Sequence, residues 1–128
     1  MEEYDVLIAG GGFAGSVAAK FAAKGGLKTL FIEKYKTPRH KSCSGIQFGY
    51  LSKILGEKIP NERLCTNKIS KVSFNLPNGK SMKAPFKVLN FMRDNFDDWL
   101  NQVAVKYGAE FRDAVSYTHL TLPTILLV

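Results

Sequence analysis

Short apolar runs alternate with amphipathic stretches along the first third of the chain, and each kind predicts an element. Val6-Leu7-Ile8-Ala9 and Lys28-Thr29-Leu30-Phe31-Ile32 read as strands of a parallel α/β unit. Between them Phe13 to Lys24 reads as a helix, and Gly25-Gly26 stops it. A polar loop, Lys34 to Ser44, follows, and Pro38 forbids a helix through it. Gly45 to Leu55 is expected to be helical, with Ile46, Tyr50, Ile54 and Leu55 at helical spacing and Gly56 at its end. Ile69 to Leu76 alternates apolar and polar residues as a half-buried strand does. The turn signal Pro77-Asn78-Gly79 returns the chain into Ser81 to Ala84, which predicts a small antiparallel insertion. Val88 to Phe91 reads as a short strand. Asp94 to Tyr107 reads as a helix whose apolar face carries Phe96, Leu100, Val103, Ala104 and Tyr107, closed by Gly108. Ala109 to Arg112 then starts a third parallel strand. The order predicts α/β class: the first half of a doubly wound parallel sheet with an antiparallel β insertion.

The turn after the first strand, Gly10-Gly11-Gly12-Phe13-Ala14-Gly15, carries the chemistry. Gly10 allows the tight turn, and Gly12 lets a pyrophosphate approach the backbone. Gly15 lets the helix pack closely on the strands, and the helix then aims unpaired N–H groups and its positive end at phosphate. Glu33, eighteen positions after Gly15 at the end of the second strand, can accept hydrogen bonds from a ribose diol. A 2′-phosphate would be repelled there, which disfavours NADP. The competing reading is a glycine-rich turn in an ordinary α/β unit without ligand.

Composition bounds the classes. The chain is 45% hydrophobic and 23% charged, and its apolar runs are shorter than a membrane span. Met1-Glu2-Glu3 is acidic and the run behind it short, so no signal peptide is expected and the expected compartment is the cytoplasm. Cys43 and Cys65 form no metal-ligand cluster, and no metal is expected. The net charge of +7 suits nucleic acid, an anionic membrane surface or phosphate ligands. Its local cluster, Lys34, Lys36, Arg39 and Lys41, has no aromatic-interleaved nucleic-acid motif beside it, so nucleic acid is not expected. A solvated basic face accounts for the same charges. At the far end, Val115-Ser116-Tyr117-Thr118-His119-Leu120-Thr121-Leu122-Pro123-Thr124 resembles the translation of a transposon adapter used in DNA library preparation. Residues 114–128 are therefore expected to be a non-native tail, His119 is given no role, and residues 1–113 are expected to be part of a nucleotide-binding domain.

Four features together resemble the N-terminal part of the geranylgeranyl reductase family of FAD-dependent oxidoreductases. They are the run from Tyr4 through the glycine turn, Glu33, the segment Lys41-Ser42-Cys43-Ser44-Gly45, and Arg93-Asp94-Asn95-Phe96-Asp97-Asp98-Trp99-Leu100. The resemblance covers residues 4 to 113. It implies a Rossmann-like FAD-binding fold, with Gly10, Gly12, Phe13, Ala14, Gly15, Glu33 and Lys34 at the ADP half of FAD. Arg39, Cys43, Ser44 and Gly45 would lie along the cofactor toward the flavin ring, and Arg93 near the pyrophosphate or ribityl chain. Two positions depart from the family pattern: Ser44 stands where many relatives have glycine, and Phe13 where proline is usual. The resemblance implies reduction of carbon–carbon double bonds in a polyprenyl lipid, an electron donor that no motif identifies, and a peripheral contact with an anionic membrane surface.

Other readings share the same N-terminal half. One is a flavin monooxygenase or halogenase, or an enzyme like electron-transfer-flavoprotein:quinone oxidoreductase; another is a basic binding module that holds a nucleotide structurally. Single residues also carry alternatives. Arg93 sits poorly for the helix dipole, which favours a ligand contact over a surface role. Cys43 is either flavin-proximal or a small buried apolar residue. Asp97 and Asp98 read as exposed first-turn charges, and His40 as a solvent-facing loop residue.

Overall fold

The computed structural model describes residues 2–115. In chain order its elements are β1 (Val6–Ala9), α1 (Phe13–Lys24), β2 (Thr29–Ile32), β3 (Ile46–Phe48), α2 (Leu51–Leu55), α3 (Asn61–Leu64), β4 (Cys65–Asn75), β5 (Ser81–Phe91), α4 (Arg93–Lys106) and β6 (Glu110–Arg112). They fall into two units, one formed by residues 1–37 and 101–128 and the other by residues 38–100. The adapter-like stretch lies, beyond Val115, outside the described residues.

The first unit is a parallel sheet in the order β1-β2-β6. Leu7 pairs with Leu30 and Ile8 with Phe31, and Phe31 in turn pairs with Phe111. The expected third parallel strand is therefore present and extends the sheet on the β2 side. Its core is Ala19, Phe31, Ala104 and Ala109, flanked by Ile8, Ala23 and Phe111. Alanines on α1 and α4 let large rings fill the space: Phe31 is fully buried and stacks on Phe111 at 4.5 Å between centroids. Burying one such ring contributes roughly 1.5–3 kcal/mol. Gly10 continues the β1–β2 pairing by donating to Ile32 O at 2.7 Å, so the glycine turn leaves the sheet at a fixed point.

The second unit is an antiparallel sheet in the order β3-β5-β4. The insertion is larger than the sequence suggested: β4 and β5 each run eleven residues, and the stretch Val88–Phe91 is the end of β5. The helix expected over Gly45 to Leu55 is a strand followed by one short helix. Ile46, Gln47 and Phe48 pair with Asn90, Leu89 and Val88, which spends their backbone groups on the sheet. Gly45 explains the start. It is buried at φ +68°, and a Cβ there would lie 2.1 Å from Phe91 O. Helical spacing of Ile46, Tyr50 and Ile54 misled because all three side chains are exposed. Phe91, Phe96 and Trp99 form the aromatic part of this unit's core, with ring centroids 5.1 and 5.5 Å apart along the series.

Candidate functional site

In the first unit α1 starts at Gly12, an extended residue that offers no side-chain cap. Its first N–H groups therefore depend on backbone, water or ligand. Gly15 must be glycine, because a Cβ would stand 1.8 Å from Gly10 O. The nearest neighbour of that Cβ is the turn itself, and Ile8 of β1 comes next at 3.4 Å, the helix–strand packing foreseen for Gly15. Gly10 has φ +117°, a left-handed conformation that favours glycine even though space is open where a side chain would be. These features fit a dinucleotide pyrophosphate: glycines at the crowded and strained positions, and a helix start without a side-chain cap.

Glu33 is buried at the end of β2, and its carboxylate is oriented by the backbone. One oxygen accepts the Gly11 N–H at 3.0 Å and the other the Tyr35 N–H at 3.1 Å. The acid thus ties the middle of the glycine turn to the second strand, a coupling the sequence did not reveal. Phe13 and Ala14 open α1, Phe13 half-buried and Ala14 exposed. Lys34 is exposed, with its ammonium 5.6 Å from the Tyr35 ring. Asp113 closes the same loop by accepting the Thr37 N–H at 2.7 Å and its hydroxyl at 2.9 Å, and hydrogen bonding holds its carboxyl below the usual aspartate range.

The second unit brings together Arg39, Cys43, Ser44, Gly45 and Arg93. Gly45 O accepts the Phe91 N–H at 2.9 Å, and Asn90 Nδ2 donates to Ser44 O at 2.6 Å, so this segment is fastened to the end of β5. Cys43, Ser44, Asn90 and Arg93 line a cavity of about 290 Å³ with His40 and Lys41. Cys43 is exposed rather than buried, which removes its reading as a small core residue. Its sulfur accepts the Gly45 N–H at 3.4 Å, and that bond, followed by the Arg93 guanidinium, lowers the thiol pKa. His40 is exposed, as expected.

Asp97 corrects the sequence reading most sharply. It is buried, and it takes Arg93 in a bidentate pair, Nε to Oδ1 at 2.8 Å and the terminal nitrogen to Oδ2 at 3.0 Å. Arg39 lies 3.7 Å from the same carboxylate. Asp97 raises the Arg93 pKa further and fixes the plane of its guanidinium. Arg93's awkward place at a helix start is thereby resolved by a partner one turn on. The signal was available: Arg93 and Asp97 are four apart, and Asp97 sits between the buried Phe96 and Leu100. Asp98 is half-exposed. Among the described residues no cluster of His, Cys, Asp or Glu could hold a metal.

Residues 5–58, which include the glycine turn, Glu33 and the Cys43 segment, match the family described as FAD binding domain. A digeranylgeranylglycerophospholipid reductase of Thermoplasma acidophilum is 42% identical over 121 residues, 86% of this chain and 30% of that protein. The crystal structure of a geranylgeranyl bacteriochlorophyll reductase-like protein from the same organism superposes with a TM-score of 0.80 at 32% identity, over 89% of this chain and 30% of that one. The chain is thus similar to the N-terminal part of geranylgeranyl reductases and carries an FAD binding domain match. It spans about 30% of the length of these relatives. A myxobacterial chondrochloren halogenase shares the fold, with a TM-score of 0.74 at 22% identity over 89% of this chain and 29% of that one. The segment described here has the α/β, Rossmann-like fold of FAD-binding proteins with an antiparallel insertion, and its cofactor is FAD. No helix among the described residues is long and apolar enough to cross a membrane.

Proposed function

We propose that the protein is a FAD-dependent oxidoreductase that reduces carbon–carbon double bonds of a polyprenyl lipid. The observation that carries this reading is the coincidence of the uncapped glycine turn, tied to Glu33 through the Gly11 N–H, with the match to an FAD binding domain over the same residues. The relatives named for reducing geranylgeranyl groups supply the substrate class. Bound here, FAD supplies the redox chemistry; the chain's residues bind and orient it.

In this reading Gly10 shapes the turn while Gly12, Phe13, Ala14 and Gly15 take the pyrophosphate on backbone N–H groups, and the Glu33 carboxylate, oriented by Gly11 and Tyr35, accepts from the adenosine ribose. Lys34 lies exposed at the rim. Arg39, Cys43, Ser44, Gly45 and Arg93 form the flavin-side group. Asp97 holds the Arg93 guanidinium in one plane, and Cys43 presents an exposed thiol whose pKa the Gly45 N–H and Arg93 lower. The lipid substrate lies in a bilayer, which calls for peripheral contact with an anionic membrane surface, and the net charge of +7 favours that contact. An electron donor completes the reaction.

Comparative titration tests the cofactor part. The protein at the length of its relatives binds FAD, and NADP competes poorly because its 2′-phosphate meets Glu33. Equal affinity for NADP, or no uptake of FAD, overturns the assignment.

A further inference from the structure

Ser16 and Asn101 lie behind the glycine turn in the first unit, and both side chains are almost fully buried. Ser16 Oγ is 2.7 Å from Gly12 O, 3.4 Å from Gly11 O and 2.6 Å from Asn101 Oδ1. A serine hydroxyl carries a single hydrogen, so it cannot donate to a backbone carbonyl and to the asparagine carbonyl together. With Oδ1 toward Ser16, the Asn101 Nδ2 group is buried with no partner among the described residues. Turning the amide over removes both conflicts. Nδ2–H donates to Ser16 Oγ, Ser16 Oγ–H donates to Gly12 O, and the unmet group becomes a carbonyl oxygen, which native structures tolerate better than an orphaned N–H.

We infer that Asn101 and Ser16 form a buried relay that positions the glycine turn for the dinucleotide, a role that rests on the FAD reading above. The reason is the planarity of the peptide unit. In a trans peptide the C=O and the following N–H point in opposite directions. A Gly12 carbonyl held inward by Ser16 therefore turns the Phe13 N–H outward. Ser16 N also donates to Gly12 O at 2.9 Å, so this carbonyl is fixed twice while the helix start has no side-chain cap of its own. Ser16 and Asn101 touch no phosphate in this account; they are positioning residues that reduce the reorganisation FAD binding requires.

A double-mutant cycle on FAD affinity tests the relay, with flavin fluorescence as readout and thermal unfolding of the apoprotein alongside. Ser16→Ala is expected to weaken FAD binding about tenfold. Asn101→Ala weakens it about threefold in the native background and leaves it unchanged in the Ser16→Ala background, because Asn101 acts only through Ser16. Ser16→Thr retains native affinity, since a helical threonine hydroxyl can still bond the carbonyl four residues back. Independent, multiplicative losses, or unchanged FAD affinity with only a lowered melting temperature, overturn the relay. If either alanine variant fails to fold, Ser16→Thr decides: loss of affinity in that folded variant also overturns it. A native protein that takes up no FAD overturns the underlying reading instead.

Discussion

The Arg93 guanidinium is gripped by the Asp97 carboxylate through two hydrogen bonds within one turn of α4, with the acid itself buried. Arg39 approaches the same carboxylate at 3.7 Å, so one acid holds two cations in place. Removing it takes a shared carboxylate from two partly buried guanidiniums. Asp97→Ala is expected to cost about 3 kcal/mol of unfolding free energy in a urea titration, and Asp97→Asn less, because it keeps the shape and one acceptor. A loss under about 0.5 kcal/mol would mean the pair behaves as a surface ion pair.

Cys43 gives the chain a pH-dependent reactivity. The Gly45 N–H and then Arg93 favour its thiolate, so the alkylation rate with iodoacetamide should rise through a midpoint below that of an ordinary cysteine. Arg93→Met removes one of these causes and moves the midpoint upward, toward the ordinary value. A midpoint unchanged by that substitution would exclude Arg93 and leave the effect to the Gly45 N–H and Ser44.

Two glycines separate steric need from chance. Gly15→Ala places a methyl 1.8 Å from a backbone carbonyl that cannot move without opening the glycine turn, and should cost about 3 kcal/mol or more and abolish FAD binding. At Gly49 nothing lies within 4 Å of the added carbon, so Gly49→Ala should stay within about 0.5 kcal/mol of the native protein. Comparable melts for the two would contradict the close approach of α1 to its turn.

Asp113 fastens the loop after Glu33 to the end of β6. Its folded pKa is depressed, chiefly by the Thr37 N–H and then the Thr37 hydroxyl. A depressed acid stabilises the fold above its unfolded value, 3.8, and that contribution is lost as pH falls through the lower folded value. Asp113→Asn should therefore destabilise the protein at neutral pH and flatten the acid side of its stability profile. An unchanged acid limb would exclude this carboxylate as its source.

The geometry of the glycine turn and the position of Glu33 were legible in the sequence because each requirement there is local. Gly10, Gly12 and Gly15 answer to one turn and one helix start, and Glu33 follows the second strand directly. The residues that escaped act across sequence distance. Gly45 reads as a helix start until the end of β5, forty-six residues later, takes its backbone into a sheet. Asp97 reads as a solvated first-turn charge until its neighbours are seen to be core. Arg93, Asp97 and Asn101 recur every four residues on α4, a polar series embedded in the apolar face of Phe96, Leu100 and Ala104. Hydrophobic periodicity alone assigns such residues to the surface, because it registers the apolar stripe and not the polar groups satisfied within it.

The most direct test of the account is the mass of a geranylgeranyl lipid after anaerobic incubation with the FAD-loaded protein, at the length of its relatives, and a chemical reductant. The account predicts that the lipid gains two hydrogens at each reduced double bond and that Gly15→Ala, which cannot hold FAD, leaves it unchanged. A lipid that stays unreduced while the native protein carries reduced FAD would contradict the proposed function.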